Sequence, residues 1–130
     1  MGKRTKGVWV VLSLTIGLIM VSVPAFAHHG TAISYDEKKP IVIKGTVKEF
    51  LWRNPHTQLF LEVKDDKGNV VRWAFEMLSP GVLTRLGWTK NEFKPGDDVT
   101  MTVAPSRAGT PVGICYSPCK VTINGVEKTR

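Results

Sequence analysis

The chain has 130 residues, with 18 Lys and Arg against 11 Asp and Glu for a formal net charge of +7, and it holds two cysteines and three histidines. That length accommodates one domain with one modest core and excludes two. The basic excess is mild and scattered, so it lacks the clustered footprint of a phosphate-binding surface and argues against a nucleic-acid partner.

Residues 1–27 read as a secretory signal peptide. Lys3, Arg4 and Lys6 precede an apolar run from Val8 to Val23, and Pro24 with Ala25-Phe26-Ala27 closes it at a small-residue cleavage pattern. The run is shorter than the roughly 20 residues a membrane-spanning helix needs. The sequence therefore predicts Sec export to the periplasm or medium, cleavage after Ala27 and no stable membrane anchor after cleavage. No cysteine stands at the junction, which argues against lipid attachment. Cleavage would leave 103 residues (130 less 27), remove three positive charges so that +7 becomes +4, and make His28 the first residue.

Residues 28–40 form a polar leader with Tyr35 as its only aromatic and Pro40 as a brake before the domain, which is assigned to residues 41–130. Ile41, Ile43 and Val47 share a parity opposite Lys44, Thr46 and Lys48, the pattern of a half-buried strand, with Gly45 suited to a bend or bulge. This strand runs to Trp52, where Arg53-Asn54-Pro55 supplies turn chemistry. A second strand carries Leu59, Leu61 and Val63 on one face, and Asp65-Asp66-Lys67-Gly68-Asn69 connects it as a hairpin to a third with Val71, Trp73, Phe75 and Met77 aligned.

Ser79-Pro80 has the form of an N-cap followed by proline at the first helical position. Val82, Leu83 and Leu86 would be the buried stripe of one short helix, and Gly87 its stop. Thr89-x-x-Glu92 is a candidate capping box for a further turn, broken by Lys94-Pro95-Gly96-Asp97 before a strand bearing Val99, Met101 and Val103. Ala104 to Pro111 reads as a loop. The last strand region spans Val112 to Ile123 with an interruption near Pro118, and Asn124-Gly125 signals a tight turn. Three strands, a helix and two more strands is the element order of a small OB-like five-stranded barrel, whose helix sits between strands 3 and 4; a small β-roll would give the same string.

The run His28-His29-Gly30, Tyr35-Asp36, Trp52-x-Asn54-Pro55-His56, Trp73-x-x-Glu76-Met77-x-Ser79-Pro80, Gly87-Trp88 and Lys94-Pro95-Gly96-Asp97 resembles the domain-of-unknown-function family 6152 over nearly the whole mature chain. The resemblance implies a small exported bacterial protein with no assigned activity. Gly30 stands where a serine commonly follows the histidine pair, and Cys115 and Cys119 also depart from the usual pattern.

Three sets of residues carry possible chemistry. The α-amine and imidazole of a terminal His28, together with His29 and His56, would make a nitrogen-rich site suited to Cu(II), with Met77 a soft ligand if its strand neighbours His56. Against that stand a solvated terminus and a core-filling methionine, since Met77 shares the apolar parity of Phe75. Glu76 reads more simply as a solvated or helix-capping carboxylate. Trp52 and Arg53 are candidates for contact with an envelope glycan or protein partner, whereas Trp73 and Trp88 read as structural. In an exported chain Cys115 and Cys119 favour a short structural disulfide over free thiols or a copper thiolate. Residues four apart in a strand lie about 13 Å apart, beyond the roughly 7 Å a disulfide spans, so Tyr116-Ser117-Pro118 would have to turn.

No nucleophile elbow, phosphate loop or His-Glu-x-x-His helix is present. The leading expectation is a non-enzymatic exported module that captures copper through His28, His29 and His56. The rivals are a metal-free module for an envelope glycan or protein partner and a copper-dependent oxidative enzyme.

Overall fold

The computed structural model describes residues 34–116 and 119–128. The expected signal peptide of residues 1–27, His28, His29 and the pair Ser117-Pro118 lie outside the described residues. Among the described residues, seven strands and one helix of several residues follow in the order β1 (Ile41–Leu51), β2 (Gln58–Lys64), β3 (Val70–Met77), α1 (Pro80–Arg85), β4 (Asp98–Pro105), β5 (Val112–Cys115), β6 (Val121–Ile123) and β7 (Val126–Lys128).

β1, β2 and β3 form an antiparallel meander, β3 pairs in parallel with β5, β5 with β4, and β4 returns to β1, so five strands close on themselves. Closure removes the open edges on which strands aggregate. The OB-like barrel expected from the sequence is the observed fold, with the helix between its third and fourth strands.

β1 closes the barrel by serving two partners. Its first half, Ile41 to Thr46, pairs with β4, and its second half, Thr46 to Leu51, pairs with β2. Gly45 stands at the crossover, where a Cβ would lie 2.7 Å from the Glu62 carbonyl oxygen, so only glycine permits the approach. The irregularity in register falls between Val47 and Glu49, two residues beyond the expected bulge at Gly45.

The strand parities set the core. Val47, Leu59, Leu61, Phe75, Met77, Val99, Met101 and Val103 are buried in one cluster. Full burial of each such side chain stabilises by roughly 1.5–3 kcal/mol. Leu83 of α1 joins them with Trp88 and Phe93, whose rings stack at 5.7 Å.

Ser79 caps α1, its hydroxyl accepting from the Val82 amide at 3.4 Å, with Pro80 opening the helix and Gly87 just past its end at φ 79°. The helix is shorter than its expected stripe. It ends at Arg85, and Leu86 is 39% exposed as the residue that follows.

The further turn expected after Thr89 forms, the Glu92 amide donating to the Thr89 carbonyl at 3.1 Å, but the capping box closes it only in part. The Thr89 hydroxyl accepts from the Asn91 amide, while the Glu92 carboxylate pairs with Lys128 at 2.7 Å instead of reaching back. The expected loop from Ala104 begins two residues later, since β4 runs to Pro105. Past the interruption near Pro118, β6 continues β4's sheet. Asn124 and Gly125, at φ 49° and 81°, then turn the chain into β7, a strand the sequence pattern does not reveal.

Candidate functional site

The turn between β1 and β2 begins with Trp52 and Arg53 and contains a cis peptide at Asn54-Pro55. Its exit is anchored by Thr57, which is fully buried. The Thr57 hydroxyl donates to the Leu78 carbonyl at 2.9 Å, its amide donates to the same oxygen at 3.2 Å, and its carbonyl accepts from the Met77 amide at 2.9 Å. A residue held by one side-chain and two backbone bonds fixes the one before it. His56 is thereby held at the end of the β2–β3 ladder.

Glu76 opposes Gln58 across that ladder and projects from the face opposite Met77. Because Phe75 and Met77 fill the core, Glu76 must emerge on the outer side, where His56 lies. The His56 ring nitrogen Nδ1 contacts the Glu76 oxygen Oε1. β5 brings the third member: Ile114 registers with Glu76 in the parallel pairing, and Tyr116 follows two residues later on the same parity. The Tyr116 hydroxyl donates to Glu76 Oε1 and lies 3.0 Å from His56 Nδ1. The His56 and Glu76 side chains are 42% and 34% exposed, so the cluster is ordered yet open to solvent.

The described part of the leader runs to the same place. Tyr35 forms an antiparallel bridge with Ser106, the Asp36 amide donates to the Pro105 carbonyl, and the Arg107 amide donates to the Ser34 carbonyl, each bond at 2.9 Å. Asp36 also pairs with Arg107 at 3.4 Å. The Tyr35 phenol is pushed up from its ordinary pKa by burial and then by the Glu76 charge. Tyr116 is pushed up further, first by burial, then by its hydrogen bond to Glu76, and then by the charge of that carboxylate and by Tyr35. With no metal bound, both phenols therefore keep their protons, and Tyr116 donates its own to Glu76.

Two grooves flank the cluster. One of about 280 Å³ is lined by Arg53, Asn54, Pro55, His56, Gln58 and Glu76. The other, about 310 Å³, lies between the leader's Glu37 and Pro40 and the outer faces of β4 and β5, and Tyr116 lines it.

The candidate residues from the sequence divide accordingly. His56 and Glu76 meet, and Arg53 borders their groove. Met77 is 2% exposed within the core cluster, on the other side of the strand from Glu76. Trp52 is half-buried, packing on the core and edge-to-face on Phe50 at 5.8 Å. Trp73 stacks on Phe75, and Trp88 is buried. Cys115 and Cys119 form a disulfide with Cα atoms 5.3 Å apart.

Sequence reasoning missed Tyr116 and undervalued Glu76. The hairpin pairs residue numbers summing to 134, so His56 is diagonal to Glu76 on one face, a contact the register alone could have revealed. Tyr116 depends on the parallel β3–β5 pairing and has no local signal. Among the described residues no three His, Cys, Asp or Glu side chains gather as a metal-binding group. His56 and Glu76 are a pair, completed by a phenol.

A family model described as a family of unknown function (DUF6152) matches residues 15–115. No curated protein matches the chain, and no solved structure matches it.

Proposed function

We propose, for a chain that belongs to the family of unknown function DUF6152 and so takes no activity from its relatives, that it is a small exported OB-like module that captures a transition metal, copper foremost. His56 supplies the ligand from the barrel, and His28 and His29 supply nitrogens from the leader. The observation that carries this reading is the convergence of two chain segments. His56 is set against Glu76 at one end of the barrel, and the leader is hydrogen-bonded beside the same cluster through Ser34, Tyr35 and Asp36.

Ser34 is six residues from His28, a length of chain that reaches up to about 21 Å when extended. The reading requires that this length of chain bring a terminal imidazole and amine to His56. Imidazole and amine nitrogens beside a carboxylate suit Cu(II) better than Mg²⁺ or Ca²⁺, which prefer all-oxygen shells. The signal-peptide pattern of residues 1–27 supports export and supplies the free amine on His28.

The test is a copper titration of the protein purified from the exported fraction, with its intact mass establishing the first residue. One copper per chain at submicromolar affinity is expected, weakened at least about tenfold by His28→Ala and by His56→Ala. Affinity weaker than micromolar, or unchanged by both substitutions, refutes the proposal. In that case a metal-free module binding an envelope partner along the Arg53–Gln58 groove becomes the better reading.

A further inference from the structure

The contacts at His56 contain more geometry than hydrogen bonding uses. His56 Nδ1, Glu76 Oε1 and the Tyr116 hydroxyl oxygen come from three separate elements, the β1–β2 turn and the ends of β3 and β5, and each touches the other two. Three contacts among these atoms are served by at most two protons, one on Nδ1 and one on the phenol. The Nδ1-to-hydroxyl separation of 3.0 Å matches two ligands at right angles on one ion with bonds of about 2.1 Å, while the two contacts to Glu76 Oε1 are closer, as hydrogen bonds are, and must open for all three atoms to share an ion.

We infer that Glu76 and Tyr116 are direct ligands alongside His56, forming a one-nitrogen, two-oxygen set that selects the oxidised ion Cu(II) over Cu(I). This rests on the copper reading above and deepens it by naming the oxidation state captured and the ligand that selects it. On binding, the phenol proton passes to solvent, and the imidazole carries its proton on Nε2 so that Nδ1 presents its lone pair. A carboxylate and a phenolate then balance the two charges of Cu(II), leaving the half-exposed cluster neutral. Cu(I) would leave it with a net negative charge.

Among the described residues the soft ligands Cu(I) prefers are withheld. Met77 and Met101 are buried in the core, and both cysteines are held in the disulfide. The open side of the cluster, where His56 and Glu76 are 42% and 34% exposed, leaves room for further ligands.

A phenolate on Cu(II) gives a visible charge-transfer absorption that imidazole, amine and carboxylate ligands do not. The exported protein, stripped of metal, is titrated with Cu(II) alone and separately with Cu(I) under anaerobic reduction of the metal. The expected result is a visible band saturating at one Cu(II) per chain, its loss in Tyr116→Phe with affinity lowered at least about tenfold, and Cu(I) affinity that the substitution leaves unchanged. Resonance Raman spectra excited in that band, showing phenolate ring modes in the unmutated protein, read the same ligand if Tyr116→Phe does not fold.

Copper bound in a His56-dependent way with no band and no phenolate modes overturns this inference while leaving the copper reading intact. It would make Glu76 and Tyr116 outer partners that orient a ring bound through Nε2. No copper binding at all overturns both.

Discussion

Thr57 shows how one residue supports the candidate site without belonging to it. It is the one buried polar side chain among the described residues, and its hydroxyl bond to the Leu78 carbonyl ties the β1–β2 turn to the segment leading into α1. Valine has nearly the same shape and lacks the hydroxyl, so Thr57→Val tests the bond with little change in packing. The Leu78 carbonyl keeps the Thr57 backbone amide as a donor, which limits the loss to about 1 kcal/mol of stability, measured by denaturant unfolding. Because His56 precedes it, the same variant is expected to weaken copper capture without altering stoichiometry. A loss near zero in both measurements would mean that the cis Asn54-Pro55 turn and the β2–β3 ladder hold His56 unaided. The contrast with Leu86 is instructive at this scale: helical periodicity placed it in the core, but the helix stops one residue short of it and leaves it exposed.

Among the elements, β1 decides whether the barrel closes, because it pairs with β4 through its first half and β2 through its second. Gly45 is where the exchange occurs. An added Cβ would meet backbone, the Glu62 carbonyl oxygen at 2.7 Å, and the Val63 side chain at 3.0 Å. Backbone cannot rotate aside as a side-chain tip can, so Gly45→Ala is expected to destabilise by about 1–3 kcal/mol, read as a lower denaturation midpoint at unchanged slope. A changed slope would show instead that the barrel had opened. Most of the element string was legible because each strand alternates cleanly and Ser79-Pro80 and Gly87 bracket the helix with local chemistry. The turn after Thr89 was legible, but its capping box forms only in part because Glu92 is drawn to Lys128 at the far end of the chain, a partner no local pattern contains. β7 escaped notice for a similar reason: its three residues, two of them exposed, have no apolar alternation, and only the Asn124-Gly125 turn lays them against β6.

Across the whole molecule, the candidate site depends on contacts of long sequence separation. His56 and Glu76 are 20 residues apart, and His56 and Tyr116 are 60 apart. The first pair follows from a hairpin register, which is why the sequence came close to it; the second follows from the parallel β3–β5 pairing that only the closed barrel creates. The disulfide bears directly on this distant member, since Cys115 ends β5 and the bond to Cys119 closes a short loop beginning with Tyr116. Cross-linking residues four apart removes little chain entropy from the unfolded state, so replacing both cysteines by alanine is expected to cost about 2 kcal/mol. That is too little to unfold a closed barrel whose core cluster spans every sheet partner of β4. The local effect should be larger than the global one. With the cross-link gone, the phenol is held only by its own hydrogen bonds and by the β3–β5 pairing of the strand before it. The Cu(II) affinity of the double variant is therefore expected to fall toward that of Tyr116→Phe, while its strand content, followed by circular dichroism, stays that of the parent. Equal losses in thermal stability and copper affinity would instead mark the disulfide as a brace for the barrel as a whole, with no separate hold on Tyr116.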